Sequence, residues 1–436
     1  MRDSMIYYRN NPSILFWEAG GTIITAEHMQ QMVALQKQWD PFGQRVVGCR
    51  GSSDGPANQV LTPIVGYFGV MIAQDPRADQ LARPDDLFRG FSAERRDRAP
   101  IIEVEDFREE GARRFWDDYS PPYYKAKKGP DDTWIAGSEY LFTSESFALA
   151  GIKRYREYWE HRISNTAPAQ SRWSGYASIY FSDSDADGRQ DSSEVCRVSG
   201  KVDAVRLPKE IYFAHRVMQN EQPDLHILGH WSYPSDRKTV KTIYVIANTE
   251  SVELFVNGKS AGVNSKPESG WIFSWPDVEF VPGNLKAVGK NGEKVAAQHE
   301  LTTAGPPAAI KLTSTVGPTG LQADAADVAL IDVEVVDAKG QRCPTDDARI
   351  DFKCTGPAVW RGGYNSGKTD STNNLFLNTE LGINRVAVRS TLIPGTITIA
   401  AGRDGLKSAQ IQIVSSPVKL TNGLSMAIPQ RLPSPA

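Results

Sequence analysis

The chain has 436 residues, 40% of them hydrophobic and 23% charged, with a formal net charge of −3 at pH 7. That length exceeds what one growing core supports and implies roughly two to four domains. The near-neutral balance, with no basic block interleaved with aromatics, gives no electrostatic case for nucleic acid or an anionic membrane surface and leaves neutral, sugar-like substrates open.

The longest apolar stretches, such as Val60 to Ala73, are interrupted by Pro63 and Gly66 and fall short of a bilayer span. The first residues, Met1-Arg-Asp-Ser-Met-Ile-Tyr-Tyr, carry no apolar core of signal-peptide length. From the N-terminus to about residue 218, short apolar strands alternate with longer amphipathic segments, the rhythm of an α/β domain. Expected strands are Ser13 to Trp17, Arg45 to Cys49, Ile64 to Phe68, Ile101 to Glu105 and Ala177 to Phe181. A helix is expected after the capping Thr25, with Met29, Met32, Val33 and Leu35 on one face, and another over Phe147 to Tyr158. About five such units fall short of the eight strands that close a barrel. An open parallel sheet of this kind leaves a bare edge, so either the chain is a fragment or another chain, including a second copy, supplies the missing strands.

After Val217 the pattern is strands alone. Lys241-Thr-Ile-Tyr-Val-Ile-Ala-Asn and Ser251-Val-Glu-Leu-Phe-Val alternate in period two, the second running into an Asn257-Gly258 turn. Residues 219–304 read as one β-sandwich, Gly305-Pro-Pro as a stiff linker, residues 305–416 as a second all-β module and 417–436 as a tail. Cys49, Cys196, Cys343 and Cys354 show no zinc-ligand spacing; Cys343 and Cys354 either pair or remain buried thiols.

Asn10-Asn-Pro-Ser-Ile-Leu-Phe-Trp-Glu-Ala-Gly20 resembles the N-H-P-S-I-x-x-W-x-x-G-N-E signature of glycoside hydrolase family 2, and Ala99-Pro-Ile-Ile-Glu-Val-Glu-Asp106 resembles the family's nucleophile strand. Arg113-Arg-Phe-Trp-Asp-Asp-Tyr-Ser-Pro-Pro122, Ser199-Gly-Lys-Val-Asp-Ala-Val-Arg-Leu-Pro-Lys209 and Trp360-Arg-Gly-Gly-Tyr364 extend the likeness to members often labelled β-galactosidase. The resemblance implies the C-terminal part of such a protein: a partial (β/α) TIM-type barrel over residues 1–218, followed by two immunoglobulin-like β-sandwich domains. It further implies a retaining, exo-acting β-glycosidase acting on a β-linked oligosaccharide or glycoside in the periplasm or outside the cell. A catalytically impaired, carbohydrate-binding or structural remnant is the competing reading, and a half-barrel completed by self-association is a third.

Retaining hydrolysis needs one ionised carboxylate to attack the anomeric carbon and one protonated carboxyl to release the leaving oxygen. The resemblance puts Glu105 at the nucleophile position, with Arg108, Arg113 and Arg114 close in sequence. Gly21 and Thr22 stand where the family has Asn and its acid/base Glu, and a threonine hydroxyl is no general acid near neutral pH. Glu18 is the nearest substitute, with Glu27 and His28 as further candidates. Aromatic faces and fixed polar groups recognise sugars, which nominates Trp17, Arg50, Tyr67, Trp134, Trp173, Phe181 and Asp183 for substrate. Asp183, Asp185, Asp187 and Glu194 also match the spacing of a calcium loop, although no entering helix precedes them; otherwise no cofactor is expected.

Overall fold

The computed structural model describes residues 1–20, 24–50, 61, 63–70, 99–106, 111–121, 143–158, 173–178, 181–185, 196–366, 371–421 and 424–425. Contacts divide the chain into two compact units, Met1–Glu109 with Lys153–Tyr180, and Glu110–Ile152 with Phe181–Ala436. The segments 110–152 and 181–218 therefore group with the all-β region rather than with the strands that precede them.

The first unit holds helices α1 (Arg2–Tyr8) and α2 (Ala26–Trp39) and a five-stranded sheet in the order β1 (Phe16–Glu18), β2 (Val46–Arg50), β3 (Tyr67–Val70), β4 (Ile101–Asp106) and β5 (Trp173–Ser178). Every pairing is parallel and follows chain order. Helix α2 starts where expected: Thr25 Oγ1 accepts from the His28 backbone N–H at 3.1 Å. Met29 on that helix packs with Met5, Trp17, Val47 and Cys49 in one apolar cluster. The strand expected over Ala177 to Phe181 lies earlier, because Trp173 pairs with Ile101 and sets the register. Between Glu103 and Asp106 that register shifts, a bulge at the carboxyl end of β4.

In the second unit, helix α4 (Glu210–Gln219) packs Ile211, Ala214 and Val217 against Phe147, Ala148 and Ile152 from α3 (Ser144–Tyr158). Two sandwich-like sheet pairs follow. Ahead of them β6 (Ser184–Asp185) pairs with β7 (Cys196–Arg197). The first pair sets β11 (Lys259–Asn264), β10 (Ser251–Val256), β13 (Asn284–Asn291) and β14 (Lys294–Thr302), in that order, against β12 (Ile272–Glu279), β9 (Val240–Ala247) and β8 (Leu225–Ile227). Its core joins Val245, Val252, Leu254, Phe273, Trp275 and Ala287. The second sets β15 (Ala309–Thr315), β17 (Val328–Val336), β21 (Ile383–Ser390) and β19 (Ala358–Gly363) against β16 (Leu321–Gln322), β23 (Ala409–Ser416), β22 (Gly395–Gly402), β18 (Arg349–Thr355) and β20 (Phe376–Asn378), around Ile331, Val333, Val386, Val388, Ile397 and Ile399.

Alternation decides these faces. Strand β9 (Val240–Ala247) buries Lys241, Ile243 and Val245 and half-exposes the residues between. The turn from β10 (Ser251–Val256) to β11 (Lys259–Asn264) has Asn257 at φ 50° and Gly258 at φ 79°, both in the left-handed region that a two-residue hairpin demands. Trp275 donates its indole N–H to Gly262 O at 3.0 Å and lies in the core. Cys49, Cys343 and Cys354 are free thiols, so the 343–354 disulfide is not formed. No helix among the described residues is long and apolar enough to cross a membrane.

Candidate active site

In the first unit, sheet register sets Glu18 on β1 beside Gly48 on β2, and Gly48 beside Tyr67 on β3. Neighbours at one level of a parallel sheet share a face, and a side chain on Gly48 would collide with the Tyr67 ring. Glu18 is exposed at the carboxyl end of its strand, while Tyr67 is fully buried and its ring lies 4.6 Å from that of Phe16. Burial first, and the Glu18 charge next, push the Cys49 thiol up to about 11 and raise the Tyr67 phenol as well. Glu18 thus acts electrostatically on the two groups next to it.

Glu105 stands on β4, inside the bulge and further toward the strand's carboxyl end than Glu103, which is level with Val70. Arg50 closes β2 and Trp173 opens β5; both are placed here by their backbone. Trp134, Thr22, Arg108, Asp187 and Glu194 lie outside the described residues.

Other candidates have different surroundings. Trp17 is buried and donates Nε1–H to Asp40 Oδ2 at 2.8 Å, so the ring is used in packing behind the sheet instead of facing a sugar. Asp183 belongs to the second unit and is 5% exposed; its Oδ1 accepts from Lys209 Nζ at 2.6 Å and from Gly200 N at 2.9 Å. A carboxylate that has to meet a substrate hydroxyl needs access, and this one is sealed in an ion pair. Lys209 brings Asp183 the positive charge a calcium ion would supply. Phe181, two residues earlier, is 67% exposed. Arg113 turns to Asp203, Nε to Oδ2 at 2.6 Å, and donates to Glu380 O at 2.6 Å.

The sequence reading missed a buried polar cluster in the second unit. Lys241 Nζ donates to Asp117 Oδ2 and to Glu145 Oε2, each at 2.7 Å. Asp117 Oδ2 also accepts from Tyr233 OH at 2.8 Å, and its Oδ1 accepts from Tyr119 N and Ser120 N at 2.9 Å and from Ser120 Oγ at 2.8 Å. His230 Nδ1 accepts from Ser232 N at 3.1 Å, so Nε2 carries the proton and donates to Ser120 Oγ at 2.6 Å. Burial opposes ionisation of Asp117, but the adjoining Lys241 ammonium outweighs it and holds the carboxyl well below its usual range. Burial pushes Glu145 up to about 7 against the pull of the same ammonium, and pushes His230 down to about 4. The cluster's polar atoms are largely spent on one another, which suits a structural clamp and not a carboxylate awaiting substrate. One signal was present in the sequence: Lys241 shares the parity of Ile243 and Val245, so alternation alone points it inward.

Comparison with known proteins gives these placements a setting. Residues 312–412 match the model of glycoside hydrolase family 2 C-terminal domain 5, and residues 238–296 match a domain of unknown function, DUF4982. A β-glucuronidase of Formosa agariphila is 42% identical over 98% of this chain, which spans 40% of that protein. A β-galactosidase of Bacteroides ovatus is 31% identical over 49% of the chain and 25% of its own length. A solved β-glucuronidase from glycoside hydrolase family 2 superposes over 99% of this chain and 43% of its own, with a TM-score of 0.79 and 38% identity. The chain thus spans less than half the length of each of these three relatives, and by its sequence, its sandwich-like sheets and its C-terminal modules it belongs to glycoside hydrolase family 2 as a C-terminal portion of such a protein.

Proposed function

We propose that this chain carries the nucleophile half of a retaining β-glycosidase site, with Glu105 as nucleophile and a β-linked uronide as substrate. The observation that carries the reading is the 42% identity to a β-glucuronidase along nearly the whole chain, against 31% over half of it to a β-galactosidase. That ordering favours glucuronides over the galactosides expected from the motifs. The all-parallel, sequentially ordered sheet supports a second element of the reading, that β1 to β5 are consecutive strands of a (β/α) barrel whose remaining strands come from a preceding segment or a second copy. Barrel active sites lie at the carboxyl ends of the strands, where Glu18 and Glu105 both stand.

In the proposed reaction the Glu105 carboxylate attacks the anomeric carbon as the glycosidic C–O bond breaks, and the leaving oxygen takes a proton from a carboxylic acid about 5 to 5.5 Å away. Water, deprotonated by that same group, then releases the sugar with net retention and restores Glu105. Glu18 is assigned the acid/base role because Thr22 cannot fill it. A second reading, carbohydrate binding without turnover, draws on that same departure at Gly21 and Thr22.

The purified chain assayed on 4-nitrophenyl β-D-glucuronide and β-D-galactoside, with its mass measured in solution, tests the proposal. Glucuronide hydrolysis that falls by about a thousandfold or more in Glu105→Gln is expected, since loss of a nucleophile removes the covalent step. Undiminished turnover in that variant rejects the mechanism, and bound sugar without hydrolysis favours the second reading.

A further inference from the structure

A cavity of about 140 Å³ lies wholly within the second unit, between residues 114–121 and the second sandwich. Its lining includes Arg114, Thr345, Asp347, Asn378 and Glu380, with Phe115 among its apolar members. A void of this size accepts one six-membered ring, as engineered cavities of about 150 Å³ accept benzene.

Its wall is fixed before any ligand arrives. Asn365 Nδ2 donates to Asn378 O at 2.9 Å and to Glu380 Oε1 at 3.1 Å, and Ser366 N donates to Glu380 Oε1 at 2.8 Å. Asn378 Nδ2 holds Asp347 O at 2.9 Å, and Arg403 grips both oxygens of Asp346 at 2.9 and 2.6 Å. A rigid lining lowers the ordering cost of binding.

Charge narrows the occupant. Asp346 is neutralised by Arg403, and Glu380 is held by amide donors with Arg113 3.6 Å away. The lining sets Arg114 against three carboxylates, Asp346, Asp347 and Glu380, and Arg113 is shared with Asp203, so nothing there favours an anionic sugar. Donors and acceptors beside apolar groups suit a ring bearing many hydroxyls, each able to donate and accept.

We propose that this cavity is a binding site for a neutral pyranose unit, separate from the Glu105 site and taking no part in the reaction. The assignment does not depend on the catalytic reading. Saturation-transfer NMR of the whole chain with methyl β-D-galactopyranoside, methyl β-D-glucopyranoside and methyl β-D-glucuronide tests it, in wild type, Glu105→Gln, Thr345→Phe and Asp347→Ala. Neutral pyranosides should bind wild type and Glu105→Gln alike, lose binding in Thr345→Phe, which fills the cavity, and bind Asp347→Ala roughly tenfold more weakly, as loss of a charged hydrogen-bond partner implies. If Thr345→Phe loses its near-ultraviolet circular dichroism, Asp347→Ala alone decides. No binding by wild type, undiminished binding in the folded Thr345→Phe or in Asp347→Ala, or tighter binding of the uronide than of the neutral sugars overturns the proposal.

Discussion

One ammonium cannot neutralise two carboxylates, and Lys241 faces both Asp117 and Glu145. Asp117, which collects five donors, is the one held ionised; Glu145, buried and poorer in donors, retains its proton up to about 7. A carboxyl whose folded-state value is raised contributes stability fully below its unfolded value and loses that contribution as pH rises through the folded one. Asp183 is shifted in the same direction, by burial first, against Lys209. Asp117 has the opposite sign, and its contribution disappears only in strong acid. Melting temperature should therefore fall between about pH 5 and pH 8, and the uncharged Glu145→Gln should flatten part of that slope; an identical slope in the variant would contradict this account. Lys241→Met leaves a carboxylate buried without its cation and is expected to cost about 3–5 kcal/mol in urea unfolding. Gly382 presents a different constraint: at φ 74° it follows Leu381, also at positive φ, and a Cβ there would strike the Cys343 carbonyl oxygen. Gly382→Ala should destabilise by about 1–3 kcal/mol, and an unchanged denaturation midpoint would rule that strain out.

Single elements were legible to differing degrees. Helix α2 was readable because its cap and its apolar stripe are local: Thr25 and Met29 lie within one turn of each other. Thr25→Ala should lower stability by about 1 kcal/mol through the lost cap, measurable as a shift in the thermal transition. The Asn257-Gly258 hairpin was equally plain. Strand β5 was misplaced because its ends are set by pairing with β4, a partner distant in sequence. Lys241 was placed in a strand pattern but given no partners, since Asp117 and Glu145 lie 124 and 96 residues away. Trp17 was nominated for sugar as an aromatic face, yet it is buried in the cluster that α2 packs on, where Asp40 receives its N–H.

For the whole molecule, two separate apolar cores lie in the β region, one per sheet pair. We propose that residues 219–304 and 305–416 are two immunoglobulin-like domains, and that the second, with its own core and two complete sheets, folds alone. Residues 305–416 expressed by themselves should give dispersed amide resonances and a cooperative melt; a collapsed spectrum would show that Arg113 and Trp116, which reach Glu380 O and Pro344 O, are required for folding. The change from a parallel α/β region to an all-β region was readable from alternation, because it recurs along each strand. The grouping of 110–152 and 181–218 with the sandwiches was not, because it rests on contacts between residues distant in sequence, apolar ones such as Phe147 and Ile211 with Ile246 among them.

The Asp117–Lys241–Glu145 clamp also limits how such modules can be exchanged. Lys241 lies on the first sandwich and both acids lie on the segment before it, so the charge balance of each piece is completed by the other. A chimera that joins residues 1–218 to a sandwich with an apolar residue at the Lys241 position would inherit the Asp117 carboxylate sealed from water with no cation beside it. Restoring one lysine at that strand position should rescue its soluble yield. Joining this segment to another sandwich is thus constrained by a single buried lysine.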